Sequence, residues 1–570
     1  MFGSLFAVIF GALVSYYVGY NWKIRSVPNG QATRKEGVES PFNTDAHTPM
    51  RPSNTPFSTS SLPVEIMLAI LSQAIEKPPL SRDRAGWFEQ RFALCLSHVC
   101  SFWRAVMMEN KSMWTDVSVL WDQHTIDLYT SRAGDLPIQY HLVMEGPSSR
   151  RRAESWSLDD PVQEFRRACV LQSGSSPARR LKIDLQLGGW PGFGRGIIGD
   201  NLGRVLERIE APHLEALSIN GIETPRLRIT DAAFKDSVGL PSLHTVSLTN
   251  LTVANRSAIF HPGLTHLSLY KVQVEWGTFT LLRRLPNLRS LSISPLTVTL
   301  VSVSTQCHLP CLQLLTLRGP VRDINSFLAS LVYPHTCSID LCLMETLAGA
   351  DMDKNTSYTR GVFTTLRERL APYGSVDVFN HLDLETDPFS VRFTLSNHTL
   401  EHIPAPTTQT MIVTLVAFLP NRNFLLNPFL NAHLPGIEYI RTMTSTHSTL
   451  GEGGGTFSHH RSLWASIVNR TRHITTCVLR GRVENAAGFF DALEAGSTET
   501  LLPELDRVEL ENMDLDVEIS DQPTLLDAGS SFWTIMNRRP VLKIGLHGCY
   551  IPDEAGQRLS HVGNVLLSPE

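Results

Sequence analysis

Apolar residues change their spacing twice along the chain. From Leu62 they recur at helical intervals: Ile66, Ile70 and Ala74 share one face, and Met67, Leu71 and Ile75 widen it. Pro63 suits a first helical position and Glu65 puts negative charge in the first turn, so LPVEIMLAIL (62–71) predicts a helix. PPLSRDRAG (78–86) interrupts the pattern. A second stripe, Phe92, Leu96, Val99, Cys100, Trp103, Val106 and Met107, predicts a helix with one side apolar throughout, and TDVSVLW (115–121) reads as a strand between Trp114 and Trp121.

From about residue 180 the period shortens to two. LEALSI (214–219), LHTVSL (243–248), LTHLSL (264–269), LRSLSI (288–293) and LQLLTL (312–317) share the pattern Leu-x-x-apolar-x-apolar, and each follows a Pro-x dipeptide beginning at Pro212, Pro241, Pro262, Pro286 or Pro310. Their starts are 29, 21, 24 and 24 residues apart, and a further 24 reaches TCSIDL (336–341). Such a period is the signature of stacked repeats. Each unit supplies a short strand and a return segment such as VRDINSFLASLV (321–332), whose spacing is helical; a single unit cannot bury its own apolar face, and stacked neighbours make a parallel sheet. Weaker echoes follow at ITTCVL (474–479), LDRVEL (505–510) and VLKIGL (541–546).

These patterns divide the chain into a helical module (60–121), a connecting region (122–179), a repeat array (180–345), irregular repeats or insertions (346–470) and C-terminal repeat-like units (471–570). Ahead of them, residues 26–59 carry five prolines among Ser, Thr, Asn and Gly and predict a disordered linker. Phe2–Trp22 has no charged side chain across 21 residues, about enough to cross a hydrocarbon layer of ~30 Å. Residues 1–25 are therefore a candidate transmembrane anchor. Tyr16, Tyr17, Tyr20 and Trp22 cluster at the end of this segment, and Lys23, Arg25, Arg34 and Lys35 follow, which leaves the rest of the chain facing the cytosol. The rival readings are a cleaved signal peptide, disfavoured by bulky aromatics where small residues belong, and a segment that does not span, which would make the protein cytoplasmic.

Composition narrows the function. The 570 residues are 42% hydrophobic and 18% charged, so most of the chain has a core to bury and is not disordered. A net charge of −5 supplies no field for a phosphate backbone, and no nucleic-acid partner is expected. The nine cysteines are scattered without a CxxC pair, indicating neither a disulfide framework nor a zinc site. GRGIIG (194–199) has the GxGxxG spacing, but GGWPGF separates it from the preceding strand-like segment, so it reads as a loop rather than a dinucleotide site. GEGGG (451–455) lacks the Gly-Lys-Ser/Thr end of a phosphate loop, and His459-His460 has no third ligand at helical spacing. No catalytic residues, cofactor or metal are expected, and the chain reads as a non-enzyme.

The helical module resembles the F-box domain. That family's pattern opens with Leu-Pro-x-Glu and an apolar helix, continues through a helix carrying Val-Cys and Trp-Arg, and closes near a second Trp; here these are Leu62, Pro63, Glu65, Ile66, Ile70 and Leu71, then Val99, Cys100, Trp103 and Arg104, then Trp114. The long loop from Glu76 to Gly86 is similar to that of F-box-like proteins of mushroom-forming fungi. The resemblance implies docking on the small Skp-type adaptor of a cullin-RING ubiquitin ligase through Leu62, Pro63, Ile66, Ile70, Leu71, Val99, Cys100, Trp103 and Trp114, with Leu62 and Pro63 foremost at the partner and Trp103 turned into the module's own core. The repeats resemble a leucine-rich repeat array, with Ile222, Leu251, Val272 and Leu296 where that family places Asn or Cys, which implies an irregular solenoid holding a protein substrate. The expected fold is thus α+β: a small helical F-box-like module, then an α/β leucine-rich-repeat-like solenoid, with an N-terminal membrane-span candidate. The expected function is a substrate-receptor subunit of the ligase; the alternative is a membrane-tethered repeat scaffold with a vestigial module.

Overall fold

In the computed structural model, alternation of apolar and polar residues becomes alternation of buried and solvent-facing positions along parallel strands. It describes residues 92–97, 101–118, 121, 123–136, 138–145, 180–186, 206, 214–221, 228–234, 240–254, 256–274, 278–296, 306–344, 352–370, 379–386, 390–396, 410–416, 437–447, 457–495, 501–517, 524–527, 529–562 and 564–568. The candidate anchor, the linker, the helix expected at Leu62, GRGIIG and GEGGG lie outside these. Among the described residues no helix is long and apolar enough to cross a membrane. The fold is mixed α+β with a large, mostly parallel sheet, and the chain divides into two units, residues 1–117 with 123–136, and residues 118–122 with 137–570.

In the first unit, α1 (Phe92–Ser97) and α2 (Ser101–Glu109) occupy the stretch read as one helix, residues 98–100 lying outside the description. Arg104 Nε donates to the Ser97 carbonyl at 3.0 Å, satisfying a group left open at the end of α1. Val106 and Met107 are buried, as the spacing requires, and Ala93 is buried beside them. A 3-10 turn, Lys111–Trp114, is capped by Asn110, whose side chain accepts from the Ser112 N–H, and α3 (Gln123–Ala133) completes the core with Ile126 and Tyr129.

The second unit is built on strands β1 (Gln139–Glu145), β2 (Arg180–Gln186), β3 (Ala216–Asn220), β4 (Thr245–Thr249), β5 (His266–Tyr270), β6 (Ser290–Ser294), β7 (Leu314–Pro320) and β8 (Ser338–Met344), each parallel to the next. The strand Gln139–Glu145 falls inside the expected connecting region. Register follows the sequence period: Leu217, Val246, Leu267, Leu291, Leu315 and Ile339 stand side by side and all are buried. The first leucines of the units, Leu214, Leu243, Leu264, Leu288 and Leu312, are buried too.

The Pro-x dipeptides are the central residues of the turns that launch the strands. The N–H groups of Leu243, Leu264, Leu288 and Leu312 donate to the carbonyls of Leu240, His261, Leu285 and Leu309, three residues back, so proline sits at the second turn position, where its fixed φ fits. VLKIGL shifts by one residue: its turn closes from Leu542 N–H to Arg539, leaving Val541 76% exposed while Leu542 is buried.

At the far end of the strands the chain takes a left-handed step: φ is 54° at Asn250, 52° at Lys271, 55° at Asn512, 91° at Gly481 and 59° at Gly548. The step turns successive N–H groups along the stack, so that Gly221 donates to Thr249, Asn250 to Tyr270 and Asn512 to His547, at 2.8, 2.7 and 2.9 Å. This backbone ladder does the work of an asparagine ladder, and it leaves the next position free to be apolar: Leu251 and Leu296 are buried.

After β8 the order changes. β9 (His381–Thr386), β10 (Ser390–Ser396) and β11 (Thr410–Val416) form an antiparallel meander that runs backward, so the spatial order is β8, β11, β10, β9. Parallel stacking then resumes with β12 (Thr442–His447) on β9, followed by β13 (Thr476–Arg480), β14 (Arg507–Glu511), β15 (Lys543–His547) and β16 (Val565–Ser568). Within the stretch read as irregular, residues 381–416 thus carry their own strand order, while β12 stacks in parallel.

From β7 onward helices cover the apolar side. α4 (Val321–Ser330) buries Val321, Ile324, Phe327 and Leu328 and packs on β7, β8 and α5 (Met352–Leu370); α6 (Phe457–Val468), α7 (Val483–Ala495) and α8 (Ser531–Arg538) pack in series, with α7 on β13. Trp464, Phe489, Phe490, Phe532 and Trp533 interlock edge to face through this layer.

Candidate functional site

Of the residues expected at the adaptor, Leu62, Pro63, Ile66, Ile70, Leu71, Val99 and Cys100 lie outside the described residues. Trp103 lies on α2, and Trp114 is fully buried. The Trp114 indole Nε1 donates to the Met107 carbonyl at 2.7 Å, its ring meets Tyr129 edge-on at 4.9 Å, and the Arg132 guanidinium lies 4.2 Å from the ring centroid. Trp114 therefore belongs to the core of its unit and offers no surface to a partner.

The sheet's second face carries the chemistry. Its strand positions alternate with the buried ones, and register aligns them into rows across the strands. Over β3–β7 the middle row is Ser218, Ser247, Ser268, Ser292 and Thr316, five neighbouring hydroxyls about 4.8 Å apart by strand spacing. Exposed Tyr270, Leu314 and Arg318 flank it, and no carboxylate stands on these five strands' outward positions.

Beyond the meander the same face is charged. Arg392 on β10 stands opposite Glu385 on β9 at 3.5 Å; Arg480 on β13 donates to Glu511 on β14 at 2.6 Å; Arg507 reaches Glu509 along β14 at 2.5 Å; Lys543 stands 3.8 Å from Asp506. Solvated pairs of this kind contribute about 0–1 kcal/mol each, so they specify a surface more than they stabilise a fold. The Glu511 hydrogen bond raises the Arg480 pKa, fixing that guanidinium as a cation.

Asp383, on β9 between Thr394 and Thr444, stands outside the ion pairs among the described residues, and its pKa is raised, first by burial and then by Glu385, against the opposing pull of Arg480 and Arg392. Its row runs on through Thr444 and Val478, both buried, to Glu509 and Gly545, while Arg507 and Lys543 on one side and Arg480 and Glu511 on the other rise beside it. The middle row is buried between two charged rows.

Sequence reading did not single out Asp383, Glu385, Arg392, Arg480, Glu509 or Glu511. The polar positions of the strand pattern mark most of them as outward-facing, but their pairing depends on the register of strands far apart in the chain.

Other chemistry is absent from the described residues in one respect: no group of three or more His, Cys, Asp or Glu could hold a metal ion. His459 and His460 lie in the first turn of α6. The described cysteines, Cys307, Cys311, Cys337, Cys342, Cys477 and Cys549, are free thiols; burial pushes Cys307 up to about 11 and Cys337 up to about 12, so both stay protonated and unreactive at neutral pH. No family model matches the chain, and no curated protein matches it.

Proposed function

We propose that the chain is a non-catalytic substrate-receptor subunit of a cullin-RING ubiquitin ligase, docking the Skp-type adaptor through an F-box-like module and recruiting a protein through irregular leucine-rich repeats. The observation that carries this reading is the repeat sheet: one face is buried in the core, and the other presents ordered rows of polar and charged side chains across many strands, a surface suited to another protein. The distributed match from Leu62 to Trp114 supports the adaptor side, with docking assigned to Leu62, Pro63, Ile66, Ile70, Leu71, Val99 and Cys100. We place Phe2–Trp22 as an anchor that holds the assembly on a membrane facing the cytosol.

The test is retention of the purified adaptor by the full chain. Leu62→Ala with Pro63→Ala is expected to weaken retention at least tenfold while the far-ultraviolet circular dichroism of the sheet is unchanged. A folded full-length chain that retains no adaptor refutes the receptor role and favours a repeat scaffold without ligase function.

A further inference from the structure

The two halves of the sheet's outward face treat their cations differently. Beyond the meander, Arg392, Arg480, Arg507 and Lys543 each stand within ion-pair distance of a carboxylate. Over β4–β7, Arg318, Arg289 just ahead of β6 and Lys271 just past β5 are exposed, and no ion pair among the described residues engages any of them. Lys271 Nζ lies over the Tyr270 ring, 5.4 Å from its centroid, and Tyr270 and Leu314 are 45% and 43% exposed, so this face is open to solvent. Serine and threonine fill most of its other outward positions, with His244 and His266 exposed toward the start of the strands. The flanking strands bring one carboxylate each, Glu215 ahead of β3 and Asp340 on β8.

Register spaces these cations. Arg318 lies two strands from Lys271, about 10 Å, and one strand and five residues from Arg289, about 17 Å. No single carboxylate reaches across such gaps, whereas an extended chain sets alternate side chains on one side about 7 Å apart. Resting on the receptor reading of this face, we propose that β4–β7 receive an extended acidic segment of the recruited protein, whose carboxylates meet Arg289, Arg318 and Lys271 while Tyr270 and Leu314 supply apolar contact beside them. Complementary charge of this kind selects the partner and repels basic segments more than it adds affinity. Three fixed cations, in a chain whose net charge is −5, are few for a phosphate backbone.

A fluorescein-labelled alternating Ser-Glu octapeptide, its Ser-Lys counterpart and a uridine octanucleotide, titrated against the full chain by fluorescence anisotropy at roughly 0.15 M salt where distant charges are screened, test the face. The Ser-Glu peptide is expected to bind and the Ser-Lys peptide not to. Arg289→Gln with Arg318→Gln should weaken Ser-Glu binding roughly fivefold or more. Arg507→Gln with Lys543→Gln removes the same charge from the paired half and should leave it unchanged. The side chains of Arg289 and Arg318 are exposed and hold no hydrogen bond among the described residues, so the first double variant should melt with the parent, and lost binding is not lost structure. No Ser-Glu binding, equally tight Ser-Lys binding, equal loss in the two double variants, or tighter binding of the octanucleotide overturns the proposal. Adaptor retention measured on the same chains separates the two readings: retention without Ser-Glu binding refutes the acidic-segment proposal alone, and Ser-Glu binding without retention refutes the receptor role alone.

Discussion

Gly481 offers the sharpest test of how the repeats are closed. It follows β13 with φ at +91°, where residues with a Cβ are strained, and a Cβ built there would run into the carbonyl oxygen of His447, which ends the preceding coil. The left-handed conformation costs a non-glycine residue roughly 1–2 kcal/mol, and relieving the collision means moving β13 away from β12. Gly481→Ala should therefore destabilise by about 2–4 kcal/mol, a large local loss for a single methyl. Gly529→Ala is the matched control: no atom lies within 4 Å of its Cβ and its φ is not in the left-handed region, so the change should be within roughly 0.5 kcal/mol of neutral. A chain of stacked repeats need not unfold in one step, so amide hydrogen exchange is the suitable assay. Protection should fall in β12, β13 and β14 and persist in β3–β7. Equal protection in the two variants, or a loss spread evenly over the sheet, would refute the account of the exit turn.

Other outcomes follow from single residues. Asn485 is buried, accepts from Trp464 Nε1 at 3.1 Å and exchanges hydrogen bonds with Ser445 at 3.1–3.4 Å; Asn485→Leu strands those groups and should cost on the order of 3 kcal/mol, read from urea unfolding followed by tryptophan fluorescence. The folded-state pKa of Asp383 is raised, so the fold prefers its protonated form, and its contribution to stability is greatest below the unfolded value of about 3.9 and declines as pH rises through the folded value. Asp383→Asn should accordingly be more stable than the parent at pH 7, with the difference shrinking toward pH 3 in parallel thermal melts. A constant difference across that range would show that the carboxylate's charge is not the cause.

Much of the sheet was legible because burial imposes a period. Leu217, Val246, Leu267, Leu291 and Leu315 had to be apolar to face the core, and Pro241, Pro262, Pro286 and Pro310 mark turns whose backbone only certain residues favour. The helix at Val321 was legible for the same reason. Pairing order was not. VRFTLS (391–396) alternates like any other strand, and nothing local in it says that it runs against both neighbours. Likewise QYHLVME (139–145) is a strand held by partners rather than by a repeat signature. The charged rows stayed hidden because Asp383, Arg480 and Glu511 lie in three separate segments, and only register brings them to one face. Trp114 read as a possible docking residue because an indole suits an interface or a core equally well, and tertiary contacts decided for the core.

The backward meander also bears on how the chain assembles. From β3 to β8 each new strand finds its partner one coil earlier, so the array can grow by adding neighbours. At β8 that growth stalls, for its next partner is β11, with Ser338 and Thr410 separated by 72 residues, and β9 waits for β12, with His381 and Thr442 separated by 61. Closing those loops costs entropy before any contact repays it. The sheet therefore has two runs that can grow by local addition, β3–β8 and β12–β15, and loop closure makes the three antiparallel strands between them the part expected to pair last.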